Sequence, residues 1–370
     1  MVNPRVLQLI GNLNPAGAEN VVVNLANGLK TVGFDVLVLS REGGSLLQKL
    51  DGVITHIIPK EKTIDLKYIV TLSKFISKNK IDIVHTHLFG NNFYGFCATL
   101  LTGRKVIFTI HGEDCFRSRK RLFFYRHFAP FASKVVTVSR PLYDRFIYET
   151  GIKKEKVSLI PNGIDTYRFQ KKIDLTDQRK KLGIPLDFPI VGAVGNIKPV
   201  KGYDIFINAA VDVNKKMPKA CFVIVGGVRQ RNEETMKALR ALVNEKKLSG
   251  NIYFLGERNN VENILPLFDV YVLPSRSEGT SIALLEAMAA ERAIVATNVG
   301  GTPYIIESNK TGILVPPEDA SLLSNAIIKL LEDKSLAGSL GKYARIVAEE
   351  KYSVDSMINQ YAALYNEIIQ

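Results

Sequence analysis

Long apolar runs are absent from this chain of 370 residues. A helix that spans a bilayer needs roughly 18 or more consecutive apolar residues, and no stretch here reaches that length. The first apolar stretch, 5–10, is short and is soon followed by polar residues, unlike the apolar region of a signal peptide. We therefore predict no transmembrane helix, and we predict that 5–10 forms a first strand.

Cysteine is also scarce. The three cysteines, Cys97, Cys115 and Cys221, do not have the spacing of a metal-binding motif, and their odd number does not suit a disulfide framework. Disulfide-rich folds belong to oxidising compartments. This cysteine usage predicts a protein of the reducing cytoplasm.

The overall composition is that of an ordinary globular protein. Hydrophobic residues make up 46% of the chain and charged residues 23%, which excludes a disordered chain. A chain of this length is expected to form two domains, each with its own core.

Positive charge is concentrated in the first half of the sequence. The net charge is +13; residues 1–181 contain 29 Lys and Arg against 15 Asp and Glu, and residues 182–370 contain 20 against 21. Such an imbalance indicates an anionic partner rather than a fold. Anionic membrane lipid, a phosphorylated acceptor and nucleic acid are the three candidates.

Short β-rich runs alternate with helical patterns along the whole chain. This alternation is typical of βαβ units and a parallel sheet. The polar, charged stretch 166–187 interrupts it and is predicted to be an interdomain linker. Strands are predicted at 6–10, 34–39, 53–58, 81–85, 106–110, 135–138 and 157–160, then at 190–194, 221–225, 252–255, 271–273, 293–296 and 312–315.

The stretch 269–290 combines a strand, a loop and a helix. Residues 269–274 read as a buried strand that stops at a proline, and 281–290 consists of strong helix formers after an N-cap at Thr280 or Ser281. Glu278 lies in the loop, and Glu286 lies inside the apolar helix. Carboxylates beside free helix amides suit a polyhydroxylated ligand that carries phosphate. The alternative is one surface glutamate and one that caps the helix.

At these residues the sequence resembles the family-4 retaining glycosyltransferases of the GT-B fold. The pattern Glu-x7-Glu within Ser-x-x-Glu-Gly and Leu-Leu-Glu-Ala-Met-Ala is typical of that family. The resemblance covers nearly the whole chain. Further segments follow in the family's order: 17–19, 111–114, 160–165, 199–202, 298–303 and 311–316.

The resemblance implies an α/β fold of two Rossmann-like domains whose parallel sheets face an interdomain cleft. Residues 1–165 would form the acceptor-binding domain, and 166–353 the domain that binds the nucleotide-sugar donor. The amphipathic segment 354–370 would pack back on the first domain.

The resemblance also implies roles for individual residues. Glu278 would contact the donor sugar near the charge that develops at the anomeric carbon, His111 would approach the sugar's primary hydroxyl, and Lys201 would pair with the diphosphate. Glu286 would accept the ribose hydroxyls. The other donor-binding positions implied are Gly17, Asn196, Lys198, Gly279, Thr280 and Ser281.

Two positions depart from the family pattern. Ala16-Gly17 stands where paired glycines are usual, and Asn196 where an arginine is usual, so that Lys198 becomes the alternative phosphate contact. No Asp-x-Asp pair follows a strand. We therefore expect no metal site, because lysine and helix dipoles can stabilise the leaving group instead.

Histidines follow two of the predicted strands. His85 and His87 stand two apart on one strand, a spacing that a metal site could use, but no carboxylate or cysteine partner has a suitable spacing. His111 is predicted to face the donor sugar; the alternative is a structural histidine that is hydrogen-bonded within the core.

The segment 116–131 interleaves five cations with six aromatic residues. Phe124, Phe128 and Phe131 recur at helical spacing and predict a face that packs in the core. An interfacial helix on anionic lipid is an equally weighted alternative, and stacking on nucleic acid a minor one.

These observations predict a retaining, metal-independent hexosyltransferase without a cofactor. Its donor would be a UDP- or GDP-sugar, and its acceptor a lipid-linked or polysaccharide-precursor glycan of the cell surface. We expect no nucleic-acid partner, and a cytoplasmic location with the inner face of the membrane as a possible peripheral site. The alternatives are a sugar-nucleotide epimerase on the same fold and a nucleotide-sugar-binding protein that has lost catalysis.

Overall fold

The computed structural model describes residues 4–62, 64–170 and 173–370. The chain forms two compact units, 1–163 with 353–370, and 164–352. The sequence-based boundary was placed two residues later, at 165/166.

Unit 1 contains a seven-stranded parallel sheet in the order β3-β2-β1-β4-β5-β6-β7. Valine, isoleucine and leucine dominate the central strands, as expected where helices cover both faces of a sheet. The strands are β1 (Arg5–Ile10), β2 (Asp35–Ser40), β3 (Ile54–Ile57), β4 (Ile83–His87), β5 (Lys105–Ile110), β6 (Lys134–Thr137) and β7 (Val157–Leu159).

The helices of unit 1 connect these strands, and the last helix of the chain joins them. Met357, Tyr361 and Tyr365 of that helix are buried against the first one. A Cβ atom at Gly28 would stand 1.8 Å from Cδ1 of Ile358, so glycine permits this close contact. The helices are α1 (Gly17–Thr31), α2 (Leu66–Lys78), α3 (Phe89–Thr102), α4 (Arg119–Phe128), α5 (Arg140–Thr150) and α13 (Val354–Ile369).

Unit 2 contains a six-stranded parallel sheet in the order β10-β9-β8-β11-β12-β13. Its helices are α6 (Leu175–Leu182), α7 (Tyr203–Lys216), α8 (Glu233–Glu245), α9 (Ile282–Ala289), α10 (Thr302–Ile305), α11 (Ala320–Glu332) and α12 (Lys334–Tyr352). The strands are β8 (Ile190–Val194), β9 (Cys221–Val225), β10 (Ile252–Gly256), β11 (Val270–Leu273), β12 (Ala293–Thr297) and β13 (Ile313–Val315).

The predicted linker 166–187 is wrong for much of its length. A 3-10 turn, Thr166–Gln170, and α6 lie within it, although Lys171 and Lys172 are outside the described residues. Phe169 and Ile184 are buried in the core of unit 2. These two apolar side chains anchor a segment whose composition is otherwise polar.

The predicted core face of 116–131 is only partly correct. Phe124 is buried and packs with neighbouring aromatic rings. Phe128, by contrast, is 38% exposed and Phe131 is 74% exposed. The helix ends at Phe128. The i, i+7 relation of Phe124 and Phe131 therefore does not place them on one face.

The charge imbalance is smaller between the structural units than between the halves of the sequence. Unit 1 carries 23 Lys and Arg against 14 Asp and Glu, and unit 2 carries 26 against 22. Six cations between 168 and 181 account for the difference, because they belong to unit 2. Over the described part of the chain, no helix has both the length and the apolar character to span a membrane.

Candidate functional site

The loop that follows β11 is hydrogen-bonded to β12. Ser275 is buried, and its carbonyl oxygen accepts a hydrogen bond of 2.6 Å from the Thr297 hydroxyl. At the other end of the loop, Ser281 is the N-cap of α9, and its hydroxyl accepts from the Leu284 amide. Both ends of the loop 275–281 are therefore fixed.

Glu278 of this loop forms an ion pair with Lys201, which lies in the turn before α7. The Lys201 ammonium lies 2.6 Å from Oε1 of Glu278, and the Ser275 hydroxyl donates to the same oxygen at 2.5 Å. The Lys201 side chain is 20% exposed, and the Glu278 side chain is 9% exposed. Two predicted site residues, 77 positions apart, thus meet at the carboxyl edge of the sheet.

Arg276 joins the loop 275–281 to the loop that precedes α7. Its guanidinium donates to both carboxylate oxygens of Asp204, at 2.8 and 2.7 Å, and also to Glu318 and to the Pro199 carbonyl. A bidentate arginine–carboxylate pair fixes geometry as well as charge. Arg276 was not among the predicted site residues; its charge within the Ser-Arg-Ser-Glu-Gly loop was the available signal.

Two glycines allow these loops to approach. A Cβ atom at Gly202 would lie 2.0 Å from the Pro274 oxygen, and one at Gly300 would lie 1.9 Å from the Glu278 oxygen. Both glycines also have positive φ angles, 66° and 51°, which side chains disfavour. A side chain at either position would force the neighbouring backbone to shift.

Unpaired amides lie at the start of α9. Within the described part of the chain, the amides of Gly279, Thr280 and Ser281 donate to no protein acceptor. Gly279 is exposed, and a Cβ atom there would meet nothing within 4 Å. Free amides at a helix N-terminus attract anions. Of the two cap candidates, Ser281 occupies the N-cap and Thr280 lies in the loop.

Glu286 lies in α9 and is largely buried. Burial raises the pKa of its carboxyl group to about 7; the nearby Arg168 lowers that pKa and Glu262 raises it. No described residue donates a hydrogen bond to this carboxylate. A buried carboxylate without donors is unfavourable, so this side chain is available to accept hydrogen bonds from a ligand.

Asn196 and Lys198 lie in the loop after β8. Asn196 is exposed and Lys198 is half-buried. No described side chain pairs with the Lys198 ammonium. These two positions and Lys201 surround the bend at Gly195, whose carbonyl accepts a 2.6 Å hydrogen bond from the Tyr203 hydroxyl.

Unit 1 has a cavity of about 460 Å³ at the start of α1. Gly17 and His111 both line it, together with Leu88, Phe89 and Thr109. The helix begins at Gly17 without a side-chain cap, and Gly17 is open to solvent. Gly17 and His111 therefore share one cavity, whereas the other predicted site residues belong to unit 2.

His85 and His87 lie in β4, and His111 directly follows β5. All three form hydrogen bonds inside unit 1, His87 with His111 and His85 with neighbouring hydroxyl groups. His87 lies 2.8 Å from His111 through Nδ1 and Nε2, and His85 bonds to Thr109 and Tyr365. Burial lowers the pKa of His85 and His87 well below its usual value and that of His111 to about 4. Across the described residues, no group of three or more His, Cys, Asp or Glu is arranged to hold a metal ion.

Two family models match the chain. The model described as glycosyl transferases group 1 matches residues 174–347, and the model described as glycosyltransferase family 4 matches residues 15–168. Together they account for most of both units.

Curated relatives are similar over almost the full length. The chain is 29% identical to the UDP-Gal:alpha-D-GlcNAc-diphosphoundecaprenol alpha-1,3-galactosyltransferase of Escherichia coli, over 96% of this chain and 94% of that protein. It is 24% identical to the capsular polysaccharide biosynthesis glycosyltransferase CapM of Staphylococcus aureus, over 92% of each.

Solved structures share the fold. A glycosyltransferase from Rickettsia africae ESF-5 aligns with a TM-score of 0.88 and 22% identity over 100% of this chain and 99% of that one. Anabaena Alr3699/HepE, solved with UDP, aligns with a TM-score of 0.86 and 20% identity over 98% and 100%. The predicted α/β fold class, with two parallel-sheet domains, is confirmed.

Proposed function

The chain belongs to the glycosyltransferases of group 1 with an amino-terminal family 4 domain, and we propose that it transfers a hexose from a UDP-sugar to a lipid-linked glycan of cell-surface polysaccharide assembly. The observation that carries the proposal is the Lys201–Glu278 pair beside the free amides of α9. A cation, a carboxylate and a helix N-terminus together suit a sugar attached to a diphosphate.

The diphosphate would lie against the amides of Gly279, Thr280 and Ser281. The Lys201 ammonium, already partly desolvated, would add a charge-assisted contact, and Lys198 is available for a second one. Such contacts stabilise the negative charge that develops on the leaving nucleotide. They support metal-independent transfer, which full activity in excess chelator would test.

The ribose would be held by Glu286. A carboxylate with no protein donor can accept from two neighbouring hydroxyl groups at once, and its partial burial strengthens both bonds. Ribose hydroxyls occur in UDP and in GDP alike, so Glu286 does not select the base. We favour UDP because the Escherichia coli relative, which matches this chain over almost its full length, is named for a UDP-sugar.

Glu278 would act on the transferred sugar. Its Oε1 is occupied by Lys201 and Ser275, so Oε2 remains for a sugar hydroxyl or for the positive charge that develops at the anomeric carbon. No free carboxylate stands beside it in the loop to serve as a covalent nucleophile. We propose retention by a front-face route, in which the leaving phosphate takes the acceptor's proton.

The acceptor would enter through unit 1, where the cavity at Gly17 and His111 is the candidate binding site. The names of the two curated relatives refer to a diphosphoundecaprenol-linked substrate and to capsular polysaccharide. The first is a lipid-linked sugar and the second a polysaccharide. We therefore propose a lipid-linked or polysaccharide-precursor glycan as the acceptor for this chain.

We further propose that one face of unit 1 binds anionic lipid. Arg119 and Lys120 are exposed on α4 beside Phe123, which is 59% exposed. At the end of this helix, Phe131 lines a cavity of about 570 Å³ with Leu100, Arg104 and Lys105. Exposed aromatic side chains among cations suit the interface of an anionic bilayer, where a lipid-linked acceptor is held.

Turnover with a panel of donors tests the proposed function. The protein would be incubated with UDP- and GDP-sugars and a diphospholipid-linked sugar, and the products identified by mass spectrometry and by NMR of the new anomeric carbon. We expect a disaccharide from a UDP-sugar, with the donor's anomeric configuration. Transfer only from a GDP-sugar would overturn the base assignment. A changed sugar nucleotide without transfer would indicate an epimerase, and binding without any product an inactive protein.

A further inference from the structure

A continuous chain of buried hydrogen bonds connects the last helix of unit 1 to His111. Gln8 of β1 and His87 of β4 are fully buried, as is Tyr365 of α13. Nε2 of Gln8 donates to the Tyr365 hydroxyl at 3.0 Å, and Oε1 of Gln8 lies 2.8 Å from Nε2 of His87. Nδ1 of His87 lies 2.8 Å from Nε2 of His111.

The bonds fix which atom carries each proton. Because Oε1 of Gln8 can only accept, His87 must carry its proton on Nε2. His87 is neutral, since burial holds its pKa well below the usual value. Its Nδ1 is therefore an acceptor, and the proton in the bond to His111 belongs to Nε2 of His111.

The Tyr365 hydroxyl sets the same direction on its other side. It accepts from Gln8, and among the described residues Nδ1 of His85, 2.6 Å away, is the remaining acceptor for its own hydrogen. Nε2 of His85 then donates to the Thr109 hydroxyl at 2.6 Å. Every bond in the chain thus has one donor and one acceptor.

One ring nitrogen remains outside this network. Nδ1 of His111 is buried and has no hydrogen-bond partner. With the proton on Nε2, Nδ1 is unprotonated and can only accept a hydrogen bond. If the Gln8 amide were turned over, every bond would reverse and Nδ1 would become a buried N–H without an acceptor, which is rarer in proteins and more costly than an unpaired acceptor.

We propose that Gln8, His87 and Tyr365 are positioning residues that hold His111 as the Nε2-protonated tautomer, so that at Nδ1 it accepts a hydrogen bond from a sugar hydroxyl. This inference rests on the proposed function, because His111 lines the cavity assigned there to the acceptor. The network also gives a role to the histidine pair on β4 that does not involve a metal. Through Tyr365, helix α13 would help to set the protonation of His111.

The test uses Tyr365→Phe and Gln8→Met, with Tyr361→Phe as the matched control. The Tyr361 hydroxyl lies at the far end of the same network, 3.3 Å from Thr109, and not on the path from Tyr365 to His111. Nitrogen-15 NMR of the histidine rings reports the tautomer directly, and melting temperatures identify variants that fold poorly. Steady-state kinetics and UDP binding would be measured on the same samples.

We expect the wild type and Tyr361→Phe to show an Nε2-protonated His111, and Tyr365→Phe and Gln8→Met to show mixed tautomers. Loss of one well-formed hydrogen bond predicts that kcat/KM for the acceptor falls about five- to ten-fold in those two variants, while UDP affinity is unchanged. An Nδ1-protonated or cationic His111 at pH 7 in the wild type would overturn the proposal. So would unchanged ring spectra in both variants. The NMR result does not require turnover. If the proposed function is wrong, sugar transfer will be absent while His111 still shows the expected tautomer.

Discussion

Glu286 is the residue whose environment departs most from that of an ordinary glutamate. It is largely buried in α9 without a protein donor, and its pKa is raised to about 7. We predict that Glu286→Gln weakens UDP binding by about 1.5–3 kcal/mol, because it removes a charged bidentate acceptor. Titration calorimetry with UDP measures this, and equal affinities for variant and wild type would exclude the ribose role.

The same substitution should stabilise the protein at alkaline pH. The pKa of Glu286 is about 7 in the folded state, whereas the ordinary pKa of a glutamate, which applies to the unfolded state, is 4.5. The folded state therefore holds more protons between these values, and its stability falls as the pH rises through that window. Glu286→Gln lacks this loss, so we expect its free energy of unfolding at pH 8 to exceed that of the wild type by about 1–3 kcal/mol, and the excess to disappear below pH 4.5. Denaturant unfolding at both pH values checks this.

The residues of the proposed donor site differ in how well the sequence predicts them. Glu278, Glu286 and Lys201 belong to local motifs, and the structure brings two of them into direct contact. Arg276 was missed because its partner Asp204 lies 72 positions away. The bonds of Gln8 and His85 to Tyr365 span 357 and 280 positions, so no local pattern could indicate them.

At the scale of the elements, the loop 275–281 depends on the Arg276 clamp. We predict that Arg276→Met separates this loop from α7 and misplaces Glu278 relative to Lys201. The expected result is a fall of about ten-fold or more in kcat/KM, with a smaller change in melting temperature than a core substitution would cause. Arg258, an exposed arginine in the turn after β10, provides a matched control as Arg258→Met. Equal kinetics in both variants would show that the clamp does not position the site.

The outer face of α4 should bind anionic membranes. Arg117 pairs with Asp114, and Arg121 donates to the Asp114 carbonyl and lies over the Phe89 ring, so both are engaged within unit 1. Arg119 and Lys120 are the better positions to change. Each contributes on the order of 1 kcal/mol at an anionic surface. We predict that Arg119→Ser/Lys120→Ser lowers co-sedimentation with phosphatidylglycerol vesicles at low salt.

A charge-matched control for α4 is available in unit 2. Lys215 and Lys216 are exposed at the end of α7, and their double replacement by Ser should leave vesicle binding unchanged. Binding of the wild type should also weaken as salt rises, since the Debye length shrinks to about 3 Å at 1 M. If the α4 variant sediments like the wild type, α4 is only a solvated helix.

Among the elements, strands were easier to predict than helices. Buried parallel strands are runs of β-branched residues, and the predicted strands agree with the observed ones within about two residues at each end. Several helices, among them α3 and α5, were not predicted. Helix α3 contains two glycines, two asparagines and several aromatic residues, which favour helix weakly. Packing against the sheet, rather than intrinsic propensity, stabilises it.

For the whole molecule, the order of motifs along the chain predicted the fold class correctly, because all but one of them follow a strand of a parallel sheet, and 311–316 contains one. Composition was a poorer guide at this scale. The polar stretch at 166–187 suggested a linker, yet two buried side chains make part of it a component of unit 2. The charge imbalance likewise diminished once those residues were assigned to their unit.

The central claim is that unit 2 binds a nucleotide-diphosphate sugar, with Glu278 acting on the sugar while other groups hold the nucleotide. The most direct test compares turnover and UDP affinity of Glu278→Gln with those of the wild type, in excess chelator. We predict that kcat falls by about 100-fold or more, because an interaction with developing charge is lost, while UDP affinity stays within about two-fold. Equal turnover by the two proteins would contradict the account.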